Sequence, residues 1–148
     1  MTKSESIESA LVGCFYHRFA VGTGFDFHFD DFVLSSQELC SPDEFTIATV
    51  VAANPPAGTA NADLIAKSAV IAACLGVPIV SAELLSDSSL SLTFDNGVVA
   101  RLPTDTPVVD WHWAITETGT DPYLGCRIAC YAPGDVQGDW APPRPTCR

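Results

Sequence analysis

Residues able to do chemistry are few in this chain, and most are spaced along strands rather than gathered in motifs. Asp26, His28 and Asp30 alternate with Phe25, Phe27 and Phe29, so a single strand face would carry three ligand-type side chains. Asp110 and His112 repeat that alternation later in the chain. A metal centre using His28, His112 and neighbouring Asp or Cys residues would need three or four of these groups to converge. Cys126-x-x-x-Cys130 has a spacing seen at zinc sites, but no second Cys or His pair completes it. Nucleophilic catalysis finds less support. Cys14 and His17 lie three apart, on opposite faces of a strand, and no Gly-x-Ser-x-Gly elbow is present. Gly22-Thr23-Gly24 lacks the following helix and the Gly-Lys-Ser/Thr signature of a phosphate loop. Asp30-Asp31 and Asp43-Glu44 are adjacent acids in expected turns, where carboxylates bond local backbone or meet solvent. No catalytic residue, metal ligand or cofactor is assigned.

The elements that would position these residues read as an α+β fold. Two antiparallel β-units, at about 11–52 and 76–115, are expected to form one sheet or a curled pair around one central helix. Each opens on an apolar-apolar-Gly segment and reaches a strictly alternating strand ending in Phe-Asp, which suggests an internal duplication. Asp95-Asn96-Gly97 predicts a type I′ hairpin. The β-branched run Phe45–Val51 predicts a strand closing the first unit. The helix is expected over about 61–75, capped by Asn61, favoured by Asp63 in its first turn and stopped by Gly76. Val109, Trp111 and Trp113 share a parity and predict a further strand, and 123–131 another. The remainder of 116–148 reads as irregular, ending in a loosely held tail, all within a single domain 1–148. The expected core draws on Leu11, Phe15, Phe19, Phe25, Phe27, Phe29, Ile47, Val50, Leu64, Ile71, Leu75, Ile79, Leu90, Leu92, Phe94, Val109, Trp111 and Trp113.

Composition sets the class of partner. Eighteen acids against seven bases leave a formal net charge of -11 over 148 residues, with 47% hydrophobic content. That balance argues against disorder and against nucleic acid as a direct ligand. No run of about 20 apolar residues is present to span a membrane. The N-terminal segment carries Lys3, Glu5 and Glu8 and no apolar core of a signal peptide, so a cytoplasmic protein with reduced cysteines is expected. Of these cysteines, Cys14 and Cys74 read as small buried hydrophobes and Cys147 as a mobile thiol. The acids are not evenly spread. Between Asp26 and Glu44 there are six and no base, and between Leu102 and Cys126 four and no base. Such stretches steer a basic protein partner, and Asp26, Asp30, Asp31, Asp43 and Glu44 are the expected contact face.

Leu90-Ser-Leu-Thr-Phe-Asp-Asn-Gly97 followed by Asp110-Trp111 resembles a group of small bacterial proteins. They share a Leu-Gly opening, a Leu-x-Leu-x-Phe strand, a polar-Gly turn and a later Trp. Their relatives include immunity proteins of bacterial toxin systems. The resemblance covers Cys74 to Ile115 best and Leu11 to Asp30 more weakly; the first unit departs from it with Asp30-Asp31 at its turn. It implies a binding role, the neutralising of a cognate toxin, and transfers no catalytic residue. A small metal-binding domain or metal-dependent enzyme is the alternative, and a homo-oligomer pairing through edge strands a further possibility.

Overall fold

The structure, a computed structural model, describes residues 2–56 and 61–140. It is α+β, with three helices and nine strands among the described residues. In chain order these are α1 (Lys3–Leu11), β1 (Arg18–Val21), β2 (Phe25–His28), β3 (Phe32–Ser36), α2 (Glu44–Ala53) and α3 (Ala62–Ala73). There follow β4 (Ile79–Leu84), β5 (Leu90–Phe94), β6 (Val99–Leu102), β7 (Trp113–Glu117), β8 (Ile128–Ala132) and β9 (Asp135–Gly138). Two antiparallel sheets result: β1-β2-β3-β7-β8-β9 and β4-β5-β6. No helix among the described residues is long and apolar enough to cross a membrane.

Alternation in sequence places the core. Phe25 and Phe27 on β2, Leu34 on β3, Trp113 and Ile115 on β7 and Ile128 on β8 form the inner face of the larger sheet. They meet Leu90, Leu92 and Phe94 of β5 and Ala100 and Leu102 of β6 in one buried cluster. Burying one such side chain contributes about 1.5–3 kcal/mol. Ile7 and Leu11 of α1 and Ile71 and Cys74 at the end of α3 join it. Polar ties bridge the layers, with Trp113 Nε1 donating to the Ser88 carbonyl at 2.9 Å and Tyr16 Oη to the Ile71 carbonyl at 2.5 Å. Tyr16 is buried against Phe27, Phe29 and Phe94, and burial pushes its phenol far above the usual range.

The two expected β-units each supply three consecutive strands, β1–β3 and β4–β6, but in separate sheets; β7, expected at the end of the second unit, pairs with β3, so β7–β9 extend the first sheet. Each set of three strands follows a helix and a glycine of positive φ, Gly13 in one case and Gly76 in the other. α3 is as expected at its start, where Asn61 Oδ1 accepts from the Leu64 N–H at 3.0 Å. It is not a single central helix: it lies beside α2, with Ala66, Val70 and Ile71 turned to the interior.

The strand expected at Phe45–Val51 is instead helix α2. The preceding Ser41-Pro42-Asp43-Glu44 reads as a helix start, with Ser three residues before Glu and Pro between them. The Ser41 N–H donates to Glu44 Oε1 at 3.3 Å, and Ser41 Oγ accepts from the Asp43 N–H at 3.4 Å. These local bonds outweigh the modest β preference of Ile47, Val50 and Val51. Helix α1 was not anticipated either, although Thr2-Lys-Ser-Glu5 forms a complete capping box.

The 95–97 hairpin has another turn than expected. Gly97 has φ +87°, Asn96 does not have positive φ, and the Gly97 N–H donates to the Phe94 carbonyl. This is a type I turn closed by a left-handed glycine, because Asp95 and Asn96 stay in ordinary right-handed space. Gly24 answers a different demand: a Cβ there would lie 2.7 Å from the Ser36 carbonyl oxygen.

The expected core needs correction at Phe15, Val50, Leu75 and Val109, all exposed, while Phe19, Ile47 and Leu64 are only half-buried. Val109 precedes β7, where the chain is not yet a strand, so its parity with Trp113 carries no burial. Cys14 is buried but disulfide-bonded, whereas Cys40, Cys74, Cys126 and Cys130 are free thiols. Trp140, expected near the tail, is buried edge-on against Phe32 at 4.7 Å; the rest of the tail and Cys147 lie outside the described residues.

Candidate functional site

The five expected contact acids fall at three places. Asp26 lies on the outer face of β2, turned away from the core, and accepts the Ser35 hydroxyl at 2.6 Å. Asp30 and Asp31 stand in the β2–β3 turn, where Asp30 approaches His17 Nε2 at 3.7 Å with both side chains more than half exposed. Such an exposed pair contributes little, about 0–1 kcal/mol. Asp43 and Glu44 lie beyond the other end of β3, at the start of α2. Asp43 makes no side-chain cap bond and is exposed.

The acids at α2 stand next to the most unusual surface of the molecule. Sequence alternation hid this surface, because a strand there would have buried half its residues. As a helix, α2 buries none of its ten residues. Phe45 is 79% exposed and Val50 58% exposed. Packing against α3 is the main contact α2 makes. Glu44 is its one charged residue and no base falls in its last turn. The nearby cation, Lys67 on α3, is already paired to Glu38 at 2.6 Å. Burial alone would lower the Lys67 ammonium, but the hydrogen bond and charge of Glu38 outweigh it and hold it above its usual value. This end of the molecule is therefore apolar with an acidic margin.

A second concavity lies on the outer face of the larger sheet. Its floor is set by register: Arg18 opposite His28, Ala20 opposite Asp26, and Asp26 opposite Ser35. Trp111 and the 118–123 loop form the far wall of this open cleft of about 790 Å³. Burial first, and then the Arg18 charge, pushes His28 below its usual value, so it is a neutral imidazole at pH 7. Ser35 bonds Asp26 directly and not through His28, so no Ser-His-Asp relay is assembled. The metal alternative finds no support in placement. His112 is buried, whereas His28 faces the outer cleft. Among the described residues no group of three or more His, Cys, Asp or Glu side chains could hold a metal ion.

Trp111 was expected on the same side as Trp113 and is not. Trp113 enters the main core, while Trp111 packs outside with Ala114 and Ala129. Between them His112 donates its N–H to the Cys130 carbonyl and accepts from the Gln37 N–H, and regular alternation begins only after it. Tyr123 was missed as a site residue because a strand was expected over 123–131; the strand β8 begins only at Ile128, and Tyr123 stands in the turn before it. Comparison with known proteins returned no match to a family model, a curated protein or a solved structure.

Proposed function

We propose that this chain is a non-enzymatic binding protein that takes a basic protein partner on α2, as an immunity protein does when it neutralises a toxin domain. The observation that carries this reading is an apolar helix with no buried residue, led by Asp43 and Glu44 and followed by no cation. Helix-in-groove recognition uses such an element, and a ten-residue helix offers about 15 Å of contact. Phe45 is the aromatic anchor, since large aromatics dominate interface energetics. The partner is basic because a net charge of -11 and the two leading acids attract cations at long range and repel a second copy of the chain. Asp26, Asp30 and Asp31 contribute to the long-range field rather than to the contact. The cytoplasmic setting belongs to this proposal; the disulfide at Cys14 favours an oxidising compartment instead, and thiol titration of native protein decides between them.

The test is capture with the full chain, identification of the bound protein, and rebinding of that protein after purification. Support requires a basic partner whose association slows as salt rises. Phe45→Ser should raise its dissociation rate about tenfold or more. Asp43→Asn with Glu44→Gln should slow association several-fold. Binding that ignores salt and all three substitutions would overturn the reading, as would self-association through α2.

A further inference from the structure

We infer that the cleft on the outer face of the larger sheet binds a neutral saccharide, with Tyr123 as the platform for the sugar ring. This inference stands apart from the partner on α2 and uses none of its residues.

Tyr123 is an aromatic side chain fixed in place yet open to solvent. Its ring stacks on the buried Trp111 at 5.0 Å and 25°. Its hydroxyl accepts from Gln37 Nε2 at 2.9 Å, and its N–H donates to Asp121 Oδ1 at 2.9 Å. Asp121 also takes the Leu124 and Gly125 N–H groups on its carbonyl, which closes the loop locally. Tyr123 nonetheless remains 54% exposed and borders both the larger cleft and a second of about 570 Å³. A preorganised aromatic face binds without the cost of ordering a free side chain. The face of a pyranose, lined by C–H bonds, is the complement of such a ring.

The polar groups beside it select a neutral, hydroxyl-rich ligand. The Arg18 side chain, whose charge acts on His28, forms no ion pair or hydrogen bond among the described residues, so its guanidinium donors are open to a ligand. Asp26 uses one oxygen for Ser35 and has the other available as an acceptor. His28, neutral, offers one donor and one acceptor. A phosphate would meet a single cation, Arg18, beside Asp26 and Asp121, and a purely apolar ligand would leave these groups unpaired. The cleft's 790 Å³ falls within the range of small-ligand sites, about 300–1,000 Å³. Trp111, which lines the cleft, is buried, and among the described residues its Nε1 has no hydrogen-bond partner.

The probes are glucose, N-acetylglucosamine, maltose and cellobiose, measured on the full chain by saturation-transfer NMR and calorimetry, with inorganic phosphate as the contrasting arm. At least one sugar should bind with a dissociation constant near or below about 1 mM. Tyr123→Ala should weaken it about tenfold or more, and Tyr123→Phe less, since the ring stays and only the Gln37 bond is lost. Asp26→Asn, which leaves the fold's packing intact, should weaken it several-fold. No sugar binding at millimolar concentration, phosphate binding in its place, or sugar binding indifferent to both Tyr123→Ala and Asp26→Asn would overturn the inference.

Discussion

Helices α2 and α3 lie side by side, have similar composition and meet different fates. Each is short, apolar and rich in Ala and β-branched residues, with one acid in its first turn and no base in its last. In α3 the apolar residues Ala66, Val70 and Ile71 recur at helical spacing and make one buried stripe. In α2 the residues Phe45, Ile47, Val50 and Val51 point around the helix, and no stripe forms. Apolar content therefore does not by itself bury a helix; the period at which it recurs does. A helix that is apolar all round and packed mainly on one neighbour leaves surface that water must cover, and that is the physical motive for the partner proposed above.

The comparison can be broken in four places, taken from the largest expected effect to the smallest. Ile71→Ala opens a cavity beneath α3 and should cost about 2–5 kcal/mol in denaturant unfolding. Asn61→Ala removes the cap on the Leu64 N–H and should cost about 1 kcal/mol in the same measurement. Lys67 gives a smaller, pH-dependent effect. Its folded-state value is raised above the usual 10.5, so its stabilisation is complete below that value and is lost as pH rises through the folded one. Lys67→Met should flatten the alkaline limb of a stability-pH curve. Phe45→Ser on α2 should leave stability within about 0.5 kcal/mol, because the ring is already in water. A large loss from Phe45→Ser, or none from Ile71→Ala, would reverse the roles assigned to the two helices.

Legibility in the sequence followed the range of the interactions involved. The alternation in Phe25–Asp30 and Leu90–Asp95 gave correct faces, because a side chain's direction in a strand depends on parity alone. The Asn61 cap was readable for the same reason: donor and acceptor are three residues apart. Two further local signals, Thr2 with Glu5 and Ser41 with Glu44, were equally present and pointed to α1 and α2. The second was masked by a β-branched run whose preference is weak. Of the candidate site, the acids Asp43 and Glu44 were legible as charge, but their meaning depended on the neighbouring helix. Tyr123 was not legible, because nothing within its loop shows that Trp111 would lie beneath it.

The sequence by itself determined the acidic balance, the hairpins β2–β3 and β5–β6, the capped α3 and the faces of the alternating strands. These depend on composition, parity and contacts a few residues long. Tertiary structure alone decided that β7 pairs with β3 rather than with the second meander, which brings Trp111 and Tyr123 beside Asp26 and Arg18. It decided too that Trp111 and Trp113 part to opposite sides of the sheet, and that α2 meets α3 and little else. Strand order and cover arise from contacts across dozens of residues, where the closing of long loops and the filling of one shared core choose among arrangements that local patterns leave equal.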